Sequence, residues 1–252
     1  MTQDYYAKKL SAERLRKVYE VASPRVRQYL GEEIRFLLDR IVSDARVLEL
    51  GCGYGRVLER LASRTTRIVG IDTSWESLRM AAEEGRSGSL LVLMNAAFLG
   101  FDEETFDLVA CIQNGISAFK VDPFDLMQEA LRVTRAGGRI LFSSYSEKFW
   151  SHRLEWFREQ ARHGLLGEID KKATGNGVIV CKDGFRATTF SPGDFLALAS
   201  RLGLSAEIFE VDDSSIFCEI IRPPALPRSS SREVGLQACV RPFCHFDRRE
   251  KS

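Results

Sequence analysis

The sequence has no apolar run long enough to cross a bilayer. Its longest, such as Leu90 to Met94, fall far short of the roughly 20 residues a spanning helix needs. The opening residues, MTQDYYAKKL, hold no apolar signal core, so a cytoplasmic protein is expected. Cysteine is present six times but never as C-x-x-C, which removes the usual redox and paired zinc patterns. Cys111, Cys181 and Cys218 sit in apolar strand-like runs and read as core thiols. Cys239, Cys244 and His245 lack a second paired ligand set, so no metal is expected. Charge of one sign is also missing: the net is +1, with a local excess of +4 from Arg222 onward and −3 over residues 1–221. That balance argues against a dedicated nucleic-acid binder, which needs a basic face. Proline is scarce at 7, and Pro223, Pro224 and Pro227 crowd one stretch. With Ser229, Ser230 and Ser231 they predict a disordered tail over 223–252. The alternative for that tail is a basic arm for RNA or anionic surfaces.

Hydrophobic content of 44% and charged content of 28% are those of a globular protein with a substantial core. One stretch organises it, Arg46 to Asp72. Val47, Leu48 and Leu50 suit a strand buried on both faces. Gly51, Gly53 and Gly55 follow at once. Val57, Leu58, Leu61 and Ala62 recur at helical spacing, and Ile68, Val69 and Ile71 make a second strand. This is a βαβ unit whose first turn lets a ligand approach the backbone closely. The dinucleotide fingerprint would be G-x-G-x-x-G, but Arg56 stands where its third glycine belongs.

Glu49 before G-x-G-x-G, with Asp72 ending the next strand, resembles the class I S-adenosylmethionine (SAM) methyltransferases. The phrases Phe101 to Asp107 and Arg132 to Ser144 also resemble that family, with Ala136 where proline is commoner. The resemblance spans roughly residues 40–222, and its signatures lie between 46 and 145. It implies an α/β, Rossmann-like class I methyltransferase fold. The implied sheet is seven-stranded and mostly parallel, in the order 3-2-1-4-5-7-6, flanked by helices. One domain is expected over 1–222. Its N-terminal helices (1–42) would form a lid, to which Tyr5 and Tyr6 are candidate aromatic contributors, and an insertion (about 147–190) follows strand five.

Local patterns fill in the elements. Residues 4–20 and 24–42 read as helices, the second opened by Ser23 and Pro24. Thr73 and Ser74 can cap a helix from Trp75 to Glu84. Leu90 to Met94, Leu108 to Ile112 and Arg139 to Ser144 read as strands three to five. Gly137 suits a left-handed cap ending the helix Phe124 to Thr134. Within the insertion, Glu147 to Gly164 reads as a helix. Asp183-Gly184 predicts a type I′ hairpin turn. Ser205 to Val211 and Ser215 to Ile221 read as the closing antiparallel pair.

The resemblance also implies roles. SAM would be the cofactor. Glu49 would orient the glycine turn and reach the methionine amino group, and Gly51, Gly53 and Gly55 would touch the methionine and ribose. Asp72 would accept from the ribose hydroxyls, Thr73 and Ser74 would flank the adenine, and Asn95 and Ala96 would read its edge. Gln113 would lie near the methionine end. In-line methyl transfer needs alignment more than a fixed set of catalytic groups. Candidate catalytic residues are Asn114, just beyond strand four, and His152, whose ring titrates near neutrality. Tyr145, Trp150, Trp156 and Phe157 are further candidates for the substrate wall or for packing. The expected partner is a small-molecule methyl acceptor. The alternatives are a non-catalytic SAM-binding protein and an NAD(P)-dependent oxidoreductase.

Overall fold

A computed structural model describes residues 5, 9–85 and 88–224. Tyr6 and all of the expected tail beyond Pro224, with Cys239, Cys244 and His245, lie outside them. Ahead of the sheet lie α1 (Ala12–Glu20) and α2 (Pro24–Leu38). Alternation then begins: β1 (Val47–Leu50), α3 (Arg56–Leu61), β2 (Ile68–Asp72), α4 (Trp75–Glu83), β3 (Leu90–Leu93) and β4 (Phe106–Cys111). A single turn α5 (Gly115–Ala118) precedes α6 (Pro123–Val133) and the long β5 (Thr134–Tyr145). The insertion holds α7 (Trp150–Arg162) and a two-stranded hairpin, β6 (Ile179–Val180) and β7 (Arg186–Ala187). The chain closes with α8 (Pro192–Arg201), β8 (Glu207–Val211) and β9 (Ser215–Ile221).

The main sheet runs β3-β2-β1-β4-β5-β9-β8. Counting only its own strands, this is the expected order 3-2-1-4-5-7-6. The first five strands are parallel, and β9 runs antiparallel to both β5 and β8. A six-stranded, wholly parallel dinucleotide sheet would lack that reversal, so the fold does not support the oxidoreductase alternative.

Side-chain alternation divides the core between the two faces. Leu48, Val109, Ile140, Phe142 and Cys218 point to the face covered by α6 and α8. Val47, Leu108, Ala110, Leu141 and Phe217 point to the face covered by α2, α3 and α4. Central parallel strands buried on both sides therefore read as unbroken apolar runs. A third cluster joins the N-terminal helices to the insertion. Helix α2 links the systems: Val26, Tyr29 and Leu30 sit in the third cluster, Ile34 and Leu37 in the sheet core.

Caps fall where the sequence puts them. The Ser23 hydroxyl accepts from Val26 N–H ahead of Pro24, and Ser74 accepts from Ser77 N–H. Three turns differ from expectation. Helix α2 ends at Leu38, and Val42 is exposed. Gly137 does adopt φ +73°, but α6 has already ended at Val133. The glycine instead shapes an irregular opening of β5, where Gly137 N–H donates to Arg222 C=O. At the insertion hairpin only Gly184 has positive φ, so the turn centres on Lys182-Asp183 and Gly184 follows it. A type I′ turn requires positive φ at both central residues. That condition is met elsewhere, at Asp212 (φ 55°) and Asp213 (φ 49°), which join β8 to β9.

Candidate active site

Strands β1, β2 and β4 all point their C-terminal ends at one cavity of about 310 Å³. Open α/β sheets bind ligands at this edge, where the strand order reverses. The floor is backbone. Gly51 (φ +76°) and Gly53 (φ +54°) turn the chain after β1, and both line the cavity. A Cβ on Gly51 would lie 2.5 Å from the Phe119 ring, and one on Gly53 2.9 Å from Leu15. Either would break close packing as well as force a strained backbone.

Asp72 closes β2 over this turn. Its carboxylate accepts from Gly53 N–H (2.8 Å) and from Ser74 N–H (2.8 Å). One side chain thus ties the glycine turn to the start of α4. Thr73 and Ser74 line the cavity beside it, as do Asn95 and Ala96 past β3. The Asn95 side-chain oxygen accepts from Ala97 N–H (2.9 Å), which fixes the loop. Gly55 (φ +82°) starts α3 and does not line the cavity.

Glu49 lies behind the turn, buried, outside the lining. Its Oε2 meets no hydrogen-bond donor. Burial pushes its carboxyl up to about 8; Arg56 opposes the shift and the Asp72 carboxylate adds to it.

Past β4 the backbone turns through two consecutive left-handed residues, Gln113 (φ 57°) and Asn114 (φ 61°). Non-glycine residues hold such angles only where surroundings enforce them. Gln113 N–H is shared between Glu33 Oε2 (3.0 Å) and Ser143 Oγ (2.8 Å). Glu33 is fully buried and also accepts from Ser215 Oγ (3.0 Å). Burial raises its carboxyl to about 7 against those hydrogen bonds. The Gln113 side chain lines the cavity, and its Oε1 accepts from the Tyr19 hydroxyl (3.1 Å). This bond latches α1 onto the sheet.

The structure separates the two catalytic candidates from the cavity. Asn114 is buried, but its amide donates to Thr188 C=O (2.9 Å) and accepts from Ser144 Oγ (2.8 Å). It fastens the insertion to the sheet and does not line the cavity. His152 is exposed on α7, its ring against Phe149 (5.6 Å), again outside the lining. A helix presents one face to its neighbours, and His152 is on the other. Its neighbour Arg153 takes the buried position. Tyr5 packs on Phe185 and donates to Asp183, also away from the cavity.

Several wall residues escaped the sequence reading: Leu15, Tyr19, Tyr29, Phe119 and Gln160. Tyr145, Trp156 and Phe157 join them in the wall, whereas Trp150 does not. Glu33 gave one signal, a carboxylate inside the apolar stripe of α2 next to Ile34. Among the described residues, no group of three His, Cys, Asp or Glu side chains could hold a metal.

Known proteins match this geometry. A family model described as a methyltransferase domain covers residues 48–142, from β1 into β5. Residues 48–142 are thus similar in sequence to a methyltransferase domain. A demethylmenaquinone methyltransferase from Thermobifida fusca is 34% identical over 104 residues, 40% of this chain and 43% of its own. A ubiquinone biosynthesis O-methyltransferase from Idiomarina loihiensis is 27% identical over 111 residues, 42% of this chain and 45% of its own. The match thus spans less than half the length of these curated relatives. A Thermotoga maritima structure, a SAM-dependent methyltransferase and possible histamine N-methyltransferase, superposes with a TM-score of 0.60 at 16% identity. It covers 87% of this chain and 100% of its own. The matched residues therefore hold the glycine turn and Asp72, while the N-terminal helices and the insertion fall outside them. Among the described residues, no helix is long and apolar enough to cross a membrane.

Proposed function

We propose that the chain transfers a methyl group from SAM to a small-molecule acceptor by in-line displacement. The observation that carries this is the Asp72 carboxylate, hydrogen-bonded across the glycine turn at the cavity edge. A carboxylate at the end of the second strand suits the two hydroxyls of a bare ribose. The residues fit the rest of the cofactor. The cradle over Gly51 and Gly53 is space that a Cβ would fill. The orphaned Glu49 Oε2 suits the cofactor's ammonium. Asn95 and Ala96 stand where an adenine edge would meet them.

When bound, SAM supplies an electrophilic methyl on a sulfonium. The protein's own part is alignment and exclusion of water. Gln113, held through its backbone by Glu33 and Ser143, fixes the end of β4 beside the methionine half. Tyr19 ties α1 over the same point. The N-terminal helices then act as the lid and residues 1–222 as one domain. The curated relatives match only about two fifths of the chain, 40% and 42%, so their acceptors do not carry across to it.

Two measurements test the reading. Thermal stability should rise with S-adenosylhomocysteine and not with NADH. At about 100 times its dissociation constant the ligand adds roughly 2.7 kcal/mol, on the order of 5–10 °C. Incubation with SAM and a panel of phenols, thiols, amines and carboxylates should then release S-adenosylhomocysteine. A shift with NADH alone would overturn the assignment. Binding without turnover across the panel would favour a SAM-binding protein without chemistry.

A further inference from the structure

The cavity has two unlike halves. One is the glycine turn with Asp72, Asn95 and Ala96. The other is walled by Val18, Tyr19, Tyr29, Leu30, Tyr145 and Trp156, drawn from α1, α2, β5 and α7. Two features of the second half bear on what it takes. First, Asp72 is the single charged side chain among the described residues lining the whole cavity. Arg56 and Arg153 stack behind the Tyr19 and Tyr145 rings (4.4 and 4.3 Å) and Glu33 lies behind Gln113, but none of them lines the cavity, so no charged group there faces a carboxylate, phosphate or ammonium directly. Burying an unpaired charge there would be prohibitive. Second, two polar atoms in this wall are buried without a well-formed hydrogen bond. The Tyr29 side chain is fully buried and its hydroxyl completes no well-formed hydrogen bond, meeting only a weak interaction with the Tyr145 hydroxyl, whose ring lies 5.3 Å away. Gln113 spends its Oε1 on Tyr19, while its Nε2 is buried and unpartnered. Both can donate, and buried donors are rarely left orphaned.

We propose that this half is the acceptor chamber, that Tyr29 and the Gln113 amide are its polar anchors, and that it takes an uncharged ring molecule bearing a hydroxyl or carbonyl oxygen. The inference rests on the methyltransferase reading, which assigns the other half to SAM. Tyr19, Tyr145 and Trp156 give flat faces for such a ring. Trp156 is fixed in place because its Nε1–H donates to Val18 C=O (2.9 Å). That bond spends its own polar atom on α1 and leaves the recognition of oxygen to Tyr29 and Gln113.

The test is calorimetric, on the full chain saturated with S-adenosylhomocysteine. The probes are phenol, catechol and 2-naphthol as neutral hydroxylated rings, 2-naphthoate as the anion and 2-naphthylmethylammonium as the cation. The neutral rings should bind best, and Tyr29→Phe should weaken the best of them about tenfold, the value of one hydrogen bond. The variant should keep its affinity for S-adenosylhomocysteine. It should also melt within about a degree of the parent, because the hydroxyl it loses makes no well-formed hydrogen bond in the unliganded protein. A melting temperature several degrees lower would mark that hydroxyl as structural and overturn the assignment. So would preferred binding of the anion or the cation, no binding of any neutral ring, or an unchanged affinity in Tyr29→Phe. Failure to bind S-adenosylhomocysteine at all would be distinct from these and would bring down the methyltransferase reading beneath them.

Discussion

The two halves of the cavity are built by different means. The cofactor half is made of backbone: a glycine turn, helix starts and one carboxylate that bonds to N–H groups at both ends of its reach. Its parts lie close together in sequence. The acceptor half is made of side chains: Tyr19, Tyr29, Tyr145 and Trp156 come from four elements spread along the chain. A backbone-built site tolerates change in the side chains around it, but not at the glycines. A side-chain-built site can change its ligand one residue at a time. The family model follows this division: its match begins at β1 and ends within β5.

The sharpest way to break the comparison is Asp72→Ala. It removes the carboxylate that should meet the ribose and frees two N–H groups. The loss of two charge-assisted hydrogen bonds should weaken S-adenosylhomocysteine binding about 100-fold or more, read by calorimetry. Gly51→Ala comes next. Its left-handed backbone should cost about 1–3 kcal/mol, and its methyl would press on Phe119. Affinity should fall at least tenfold, and Phe119→Ala in the same protein should restore part of it by relieving the contact alone.

This difference also explains what the sequence reveals. Residues 46–72 display their structure locally, because a buried strand, glycines and an amphipathic helix each have their own period. The sheet order follows from the same logic continued through β9. Gly137 and Asp183-Gly184 misled because a glycine reports that positive φ is available, not which turn uses it. His152 and Asn114 were sensible by residue type and position, but orientation decided their place. One turns to solvent, and the other spends its whole amide on Thr188 and Ser144. Tyr29 looked like part of an apolar stripe, which it is; only packing against the insertion makes it a wall.

Asn114→Ala sharpens that point. It removes one donor from Thr188 C=O, which Arg153 still meets, and the acceptor of the buried Ser144 hydroxyl proton, so it should cost about 1–3 kcal/mol, or roughly 2–4 °C per kcal/mol. Turnover per folded molecule should hold within a few-fold, whereas a catalytic role would reduce it a hundredfold.

The pH dependence separates the halves in a different way. Glu33 and Glu49 hold their protons up to about 7 and about 8 in the folded chain, because burial disfavours the charged form. Their contribution to stability is therefore complete below the ordinary carboxyl range, near 4.5, and is lost as pH rises to about 8. A ligand ammonium near Glu49 favours its ionised form. S-adenosylhomocysteine affinity should thus rise with pH up to about 8, at most about tenfold per unit. Glu49→Gln should flatten the affinity profile and leave only the Glu33 part of the stability profile, as melting curves and titrations from pH 5 to 9 would record. The smallest expected effect is that of His152→Ala. An exposed side chain away from the cavity should change stability by no more than about 0.5 kcal/mol and leave turnover unchanged.

The most direct test of the central claim is a calorimetric titration of the full chain with S-adenosylhomocysteine at pH 8, run beside Asp72→Ala. The parent should bind at one site per chain, and the variant should lose about 100-fold or more in affinity. Equal binding by both proteins would contradict it, because the ligand would then lie somewhere other than over the glycine turn.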